Sequence, residues 1–293
     1  MSRTVYVNGD FVDEKDACVS VFDRAFLFAD AVYEVSAVLG GALVDNAAHL
    51  ARLRRSLGEL GIPMPCGEDE LVRIQQELVA RNALDEGMVY MQVTRGSADR
   101  DFKFPVGAKP TLVMFTQARP LIDDPAAKRG ISVITVADMR WRRRDIKTTA
   151  LLAASLAKQQ AVEAGVDDAW MVEDGYVTEG SSNNAHIVTA DGVIVTRHLG
   201  SEILHGITRA AVLELSRREG LTVEERPFTV DEAKAAAEAF ITSATAFVTP
   251  VVRIDGAAIG SGAPGEIARA LRRSYIEMAQ MATNASRAAS RTG

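Results

Sequence analysis

Three short stretches of this sequence combine residue types that could do chemistry together. Lys147 closes the run Trp141-Arg142-Arg143-Arg144-Asp145-Ile146-Lys147. A lysine amine becomes a nucleophile near neutral pH when burial or neighbouring cations lower its pKa, and three nearby arginines would act in that direction if the lysine were enclosed. Glu179 follows a strand pattern and precedes Gly180-Ser181-Ser182-Asn183. A carboxylate there could hold a proton on a heteroaromatic ring nitrogen, and the small residues after it let backbone approach a flat ring. Leu204-His205-Gly206-Ile207-Thr208-Arg209 places a glycine and a threonine at the start of an apolar-periodic helix, where uncapped N–H groups favour a phosphate. Thr242-Ser243-Ala244-Thr245-Ala246 adds a second hydroxyl-rich loop, and Arg52, three residues after His49, could offer a bidentate guanidinium. Each stretch also has an ordinary reading, as a solvated lysine, a surface-turn glutamate or a plain N-cap threonine. Spacing alone does not choose between them.

The elements that must position these residues are legible from periodicity. Asn8-Gly9, Gly40-Gly41, Asp174-Gly175, Asp191-Gly192 and Asp255-Gly256 mark hairpins or turns between strand-like runs. A helix is expected from Asn46, with Leu50, Leu53, Leu57 and Leu60 on one face and Gly61 past its end. Further helices are expected at 68–81, 148–164, 208–219 and 264–282, and strands at 88–94, 111–117 and 131–136. Clustered hairpins with interspersed helices imply an α+β fold of two domains and not a doubly wound parallel sheet. The expected division is a smaller N-terminal domain at 1–119, a proline-marked linker at 120–130, a larger C-terminal domain at 131–285 and a flexible tail at 286–293.

Bulk properties narrow the function classes. With 47% hydrophobic and 25% charged residues the chain reads as a globular protein, and a net charge of −6 argues against a nucleic-acid partner. No apolar run approaches the roughly 18 residues of a membrane span. The N-terminus enters a strand pattern at once, so no signal peptide is expected and the location expected is the cytoplasm. Cys18 and Cys66 lack metal or CxxC spacing, and His49, His186, His198 and His205 are scattered, so no metal site is expected. No Walker loop is present.

In chain order, His49-x-x-Arg52, Asp145-Ile146-Lys147, Thr178-Glu179-Gly180-Ser181-Ser182-Asn183, Gly206-Ile207-Thr208-Arg209 and Thr249-Pro250-Val251 resemble the motifs of the fold type IV aminotransferases. The likeness runs from about Tyr6 to Met278. It implies pyridoxal 5'-phosphate as cofactor, Lys147 as the Schiff-base lysine and Glu179 as the partner of the pyridine nitrogen. Arg52, Ile207 and Thr208 would bind the phosphate, with Ser243 and Ala244 completing the cup and Leu204 packing on the ring. Ala244 stands where the D-amino acid enzymes have threonine, so it could contribute only backbone.

Within the family, Phe28-Ala29-Asp30-Ala31-Val32-Tyr33-Glu34-Val35 and the loop around Arg100 most resemble the D-amino acid transaminases. Tyr33 and Arg100 would bind a substrate carboxylate, while Arg95 would be structural. Phe102 replaces a histidine of that loop, a loss of about 1–3 kcal/mol if one charge-assisted hydrogen bond disappears. The reaction implied moves the amino group of a D-amino acid to a 2-oxo acid such as 2-oxoglutarate or pyruvate. The alternatives are an (R)-selective amine transaminase, a branched-chain L-amino acid transaminase, aminodeoxychorismate lyase or a non-catalytic cofactor-binding protein. A homodimer is implied by the same resemblance.

Overall fold

The computed structural model describes residues 2–290. By internal contacts the chain forms two compact units. One runs to Pro120 and takes in Ile146–Ala150 and the chain from Ala279, and the other comprises Leu121–Asp145 and Leu151–Met278.

The first unit holds strands β1 (Thr4–Val7), β2 (Asp10–Asp13), β3 (Ala31–Leu39), β4 (Ala42–Leu43), β5 (Gly87–Thr94) and β6 (Leu112–Ala118). They form an antiparallel sheet in the order β2-β1-β6-β5-β3-β4. Asn8 and Gly9 both take positive φ, so the two-residue turn between β1 and β2 matches the twist of its strands. Its helices are α1 (Arg24–Phe28), α2 (Asn46–Leu60) and α3 (Glu68–Arg81). Leu50, Leu53 and Leu57 of α2 and Leu71, Ile74 and Leu78 of α3 recur at helical spacing and bury against Val32, Met91, Val93 and Met114 of the sheet. Ile146 joins this core. That burial fixes the position of the residue after it, Lys147.

The second unit is built on a nine-stranded mixed sheet. It contains α4 (Pro125–Arg129), β7 (Ile131–Ala137), α5 (Leu152–Glu163), β8 (Asp168–Glu173), β9 (Tyr176–Gly180), β10 (Asn184–Val188), β11 (Ile194–Thr196) and α6 (Ile207–Arg218). β12 (Val223–Glu225), α7 (Val230–Lys234), β13 (Glu238–Ser243), β14 (Phe247–Ile254) and β15 (Ala257–Ala258) follow, and α8 (Glu266–Ser290) ends the described chain. The strand order is β12-β11-β10-β13-β14-β7-β8-β9, with β15 on β14. Pairs β7/β8, β7/β14 and β11/β12 are parallel and the others antiparallel. Its core gathers Trp170, Ile187, Phe228, Ile241 and Ile254. Among the described residues no helix is long and apolar enough to cross a membrane.

Three sequence expectations change here. Residues 120–130 are not a bare linker, because they hold α4, capped by the Asp124 side chain, together with buried Leu121 and Ala127. The helix expected from residue 148 begins at Leu152, because Thr148 and Thr149 instead bond along β3. The tail expected at 286–293 is helical through Ser290, and its last three residues lie outside the described part.

Candidate active site

Lys147 sits in a short extended segment pinned to the start of β3. Tyr33 N donates to Lys147 O at 3.0 Å, and Thr149 N donates to Ala31 O at 3.1 Å. Lys147 N donates to Ser56 Oγ of α2 at 3.3 Å. With Ile146 buried on one side, the alternation of an extended chain turns Lys147 the other way, and its Nζ lies 4.1 Å from the centroid of the Tyr33 ring. Tyr33 stacks on Tyr90, and Tyr90 on Phe115, so the aromatic platform under the amine is itself held by packing.

On the neighbouring position of β3, Glu34 is almost fully buried. Arg52 donates to it through Nε and Nη2, each at 2.7 Å, and His49 Nδ1 lies 2.8 Å away. Burial alone would raise the Glu34 pKa. The charge and two hydrogen bonds of Arg52, with His49, outweigh burial and hold the carboxyl down at about 2. Helical spacing on α2 thus presents His49, Arg52 and Ser56 toward β3 and the Lys147 segment.

In the second unit, Glu179 lies near the end of β9 and is also almost fully buried. Its carboxylate accepts from Arg140 Nη1, from Asn184 Nδ2 at 2.8 Å and from Leu204 N at 3.1 Å. Burial raises its pKa, and Arg140 and the Leu204 N–H only partly oppose the rise. Asn184 also donates to Leu204 O at 3.0 Å, and a Cβ at Gly206 would overlap Asn184 Oδ1. Position 206 therefore needs glycine for close approach. Gly206 is the N-cap of α6 and supplies no side-chain cap, so the first N–H groups of that helix are left for an anion. Thr208 is buried in the first turn, and Leu204 and Ile207 are half-buried beside it. Asn184 pairs with Thr242 across β10 and β13, which brings Ser243 to the same end of the sheet. Ser243 Oγ accepts from Ala246 N at 3.1 Å and shapes the loop that carries Ala244.

The sequence-derived candidates thus fall into separate groups. Asn184 bonds Glu179 and Leu204, abuts Gly206 at the start of α6 and pairs with Thr242 beside Ser243, while Lys147 and Tyr33 meet directly. Arg52 is tied to Glu34. Arg100 and Phe102 form an exposed cluster with Phe28, at 5.4 Å from guanidinium to ring and 5.6 Å between ring centroids. Among the described residues no hydrogen bond or ring contact joins that cluster to Tyr33. Arg95 is structural, donating to Asp30 at 2.7 Å and to Leu60 O at 2.8 Å. The arginine run does not serve Lys147 as a free cationic patch, because Arg143 pairs with Asp145 and Arg144 with Glu173.

Four contributors escaped the sequence reading: Glu34, Asp138, Arg140 and Asn184. Glu34 carried one usable signal, an acid in phase with buried Val32 on a strand. Asn184 stands one residue beyond the motif that includes Glu179, and Arg140 stands two before the arginine run that drew attention.

Taken chemically, the second unit offers a buried carboxylate for a cationic ring nitrogen beside a seat for a phosphate, and the first offers an amine over an aromatic ring. Residues 31–254 match the family model described as amino-transferase class IV. The chain is 42% identical over 267 residues to a D-alanine aminotransferase of Bacillus licheniformis, covering 90% of this chain and 93% of that protein. It is 37% identical to a D-alanine aminotransferase of Staphylococcus aureus, covering 92% and 96%. Among solved structures, the branched-chain amino acid aminotransferase of T.th. with pyridoxamine 5'-phosphate superposes with a TM-score of 0.88 at 28% identity, covering 94% of each chain.

Proposed function

The chain belongs to the class IV aminotransferases, and from that premise we propose that it moves the amino group of D-amino acids, of the D-alanine or D-glutamate type, to 2-oxo acids such as pyruvate or 2-oxoglutarate. Its cofactor is pyridoxal 5'-phosphate. The observation that carries the reading is the buried Glu179 carboxylate, anchored by Asn184 and Leu204 at the uncapped start of α6. A ring nitrogen and a phosphate on one small molecule fit that pair of features.

When bound, pyridoxal phosphate supplies an electron sink for charge that develops at the substrate's α-carbon. In the proposed site Glu179 holds the ring-nitrogen proton on which that sink depends. Lys147 provides the amine that carries the cofactor between turnovers, and then takes the α-proton and returns it. Its extended segment fixes the amine over Tyr33. Ile207, Thr208, Ser243 and the Ala244 backbone would hold the phosphate, and the family resemblance adds Arg52 to that set. Leu204 packs on the ring, and Tyr33 and Arg100 take the substrate carboxylate.

Among the described residues no hydrogen bond or ring contact links Arg100 to Tyr33, so the carboxylate trap closes in this reading when two copies associate. An exposed apolar surface supports that view. Val21, Phe22, Phe26, Phe102, Phe104 and Val106 are all open, on two segments that bond to each other through Ala98 N and Phe22 O. Phe102 would then lie near the trap in place of a hydrogen-bond donor. Likeness in backbone to a branched-chain enzyme reflects the shared fold, since the D-alanine enzymes are more alike in sequence.

A substrate panel tests the proposal. Holoenzyme should transfer the amino group of D-alanine to 2-oxoglutarate and leave L-alanine, L-leucine and (R)-1-phenylethylamine at least about tenfold slower, the ratio set by one lost polar contact. Preferential turnover of L-leucine would replace this reading with the branched-chain one.

A further inference from the structure

Arg140 stands between two acids. Its Nη1 donates to Glu179, while its Nε and Nη2 donate to Asp138 at 3.0 and 2.7 Å. The Asp138 side chain is fully buried. It also accepts from Arg140 N at 3.1 Å and from Thr178 Oγ1, on the residue before Glu179, at 2.7 Å. The other charged groups around it are Arg144, at 3.3 Å from Asp138, and Glu173, which takes Arg144 at 2.9 Å and also feels Arg142. Arg144 and Glu173 balance each other. Glu179, Arg140 and Asp138 are left with one positive and two negative charges.

That imbalance bears on what Glu179 can do. A lone Arg140–Glu179 pair would be neutral and would give a ring-nitrogen proton little to pair with. On the reading that Glu179 partners the cofactor's ring nitrogen, we propose that Asp138 is a positioning residue for the reaction: it takes up the charge of Arg140, and so leaves the Glu179 carboxylate a net anion toward that nitrogen. A protonated ring nitrogen then completes a balanced set. The bond from Thr178 ties the acid that sets the charge to the strand that carries the acid that uses it.

The test is nitrogen-15 NMR of holoenzyme reconstituted with pyridoxal phosphate labelled at the ring nitrogen, followed as a function of pH. Asp138→Asn, close in shape but without the charge, should lower the midpoint of ring deprotonation by about one unit or more, the scale of one neighbouring charge. Its kcat should fall about tenfold, since one pKa unit corresponds to tenfold in the proton equilibrium, and cofactor affinity should change little. Asp138→Glu should restore part of both. The double variant with Arg140→Gln, which removes one charge of each sign, should return the midpoint toward wild type, a rescue that a purely structural role would not give. A midpoint in Asp138→Asn equal to wild type would overturn the proposal. If Asp138→Asn does not fold, Arg140→Gln alone decides, because its midpoint should rise on this account and a fall would overturn it. Glu179→Gln separates the two levels: an unchanged resonance there would reject Glu179 as the ring-nitrogen partner, whereas a shift there without one in Asp138→Asn rejects only the role of Asp138.

Discussion

Glu34 and Glu179 are both almost fully buried and both bonded to an arginine, yet their carboxyls move in opposite directions. Glu34 receives Arg52 through two hydrogen bonds, with His49 in addition, and is held down at about 2. Glu179 receives one bond from an arginine that Asp138 also claims, and its remaining donors are the neutral Asn184 amide and a backbone N–H. Burial therefore prevails at Glu179 and raises its pKa. Two hydrogen bonds from one guanidinium make a buried acid into a strut that stays ionised whatever arrives. A guanidinium that gives one bond and is also claimed by a second acid leaves a carboxylate whose charge still has to be met, which suits a group meant to hold a cationic ligand.

Substitutions should separate the strut from the site. Glu34→Gln leaves Arg52 buried without its counter-charge, and stability should fall by about 3–5 kcal/mol, measured by denaturant unfolding of the apoprotein. A loss below 1 kcal/mol would show that the strut is dispensable. Glu179→Gln should leave apoprotein stability within about 1 kcal/mol, because an amide can keep the Asn184 and Leu204 contacts in part. Its kcat should nevertheless drop by about 10²-fold, the scale of losing one preorganised electrostatic contact. If the two variants exchanged these phenotypes, the contrast would be inverted.

Acid offers a reagent-free version of the same contrast. Glu34 has a lowered folded-state pKa, so its contribution to stability is complete above the ordinary carboxylate range. It is eroded as pH falls below about 4.5 and is gone once pH passes through about 2. In an acid titration of apoprotein stability, the wild type should steepen across that window relative to Glu34→Gln. Parallel curves would mean that Glu34 is not held low. The smallest effect is expected at Phe102→His, which should tighten a dicarboxylic acceptor by up to about tenfold, read as a fall in KM at constant kcat. An unchanged KM would place residue 102 away from the substrate carboxylate.

The candidate residues that the sequence made legible are those whose chemistry is contiguous in the chain. Lys147, Glu179 and Gly206-Ile207-Thr208 lie in short motifs whose local geometry follows from their residue types, and the α6 N-terminus forms where glycine and threonine placed it. The arginine partners were hidden because tertiary packing of a helix and a loop creates them. Arg140 reaches Glu179 across 39 residues and Glu34 reaches Arg52 across 18, so neither pair leaves a local pattern. Runs of like charge also mislead. Arg142, Arg143 and Arg144 drew the eye toward Lys147, yet Arg143 and Arg144 are taken by Asp145 and Glu173, and the arginine that meets Glu179 stands outside the run. The helix expected at residue 148 failed for a related reason. Ala- and Leu-rich propensity favours helix through that stretch, but Thr148 and Thr149 are committed to β3, and that commitment holds Lys147 over Tyr33.

The most direct test of the account is where the cofactor attaches. Holoenzyme reduced with borohydride, digested and analysed by mass spectrometry should carry the phosphopyridoxyl group on the peptide containing Lys147. It should carry none when the same protein is first saturated with D-alanine. Attachment to another lysine, or labelling that D-alanine does not prevent, would contradict it.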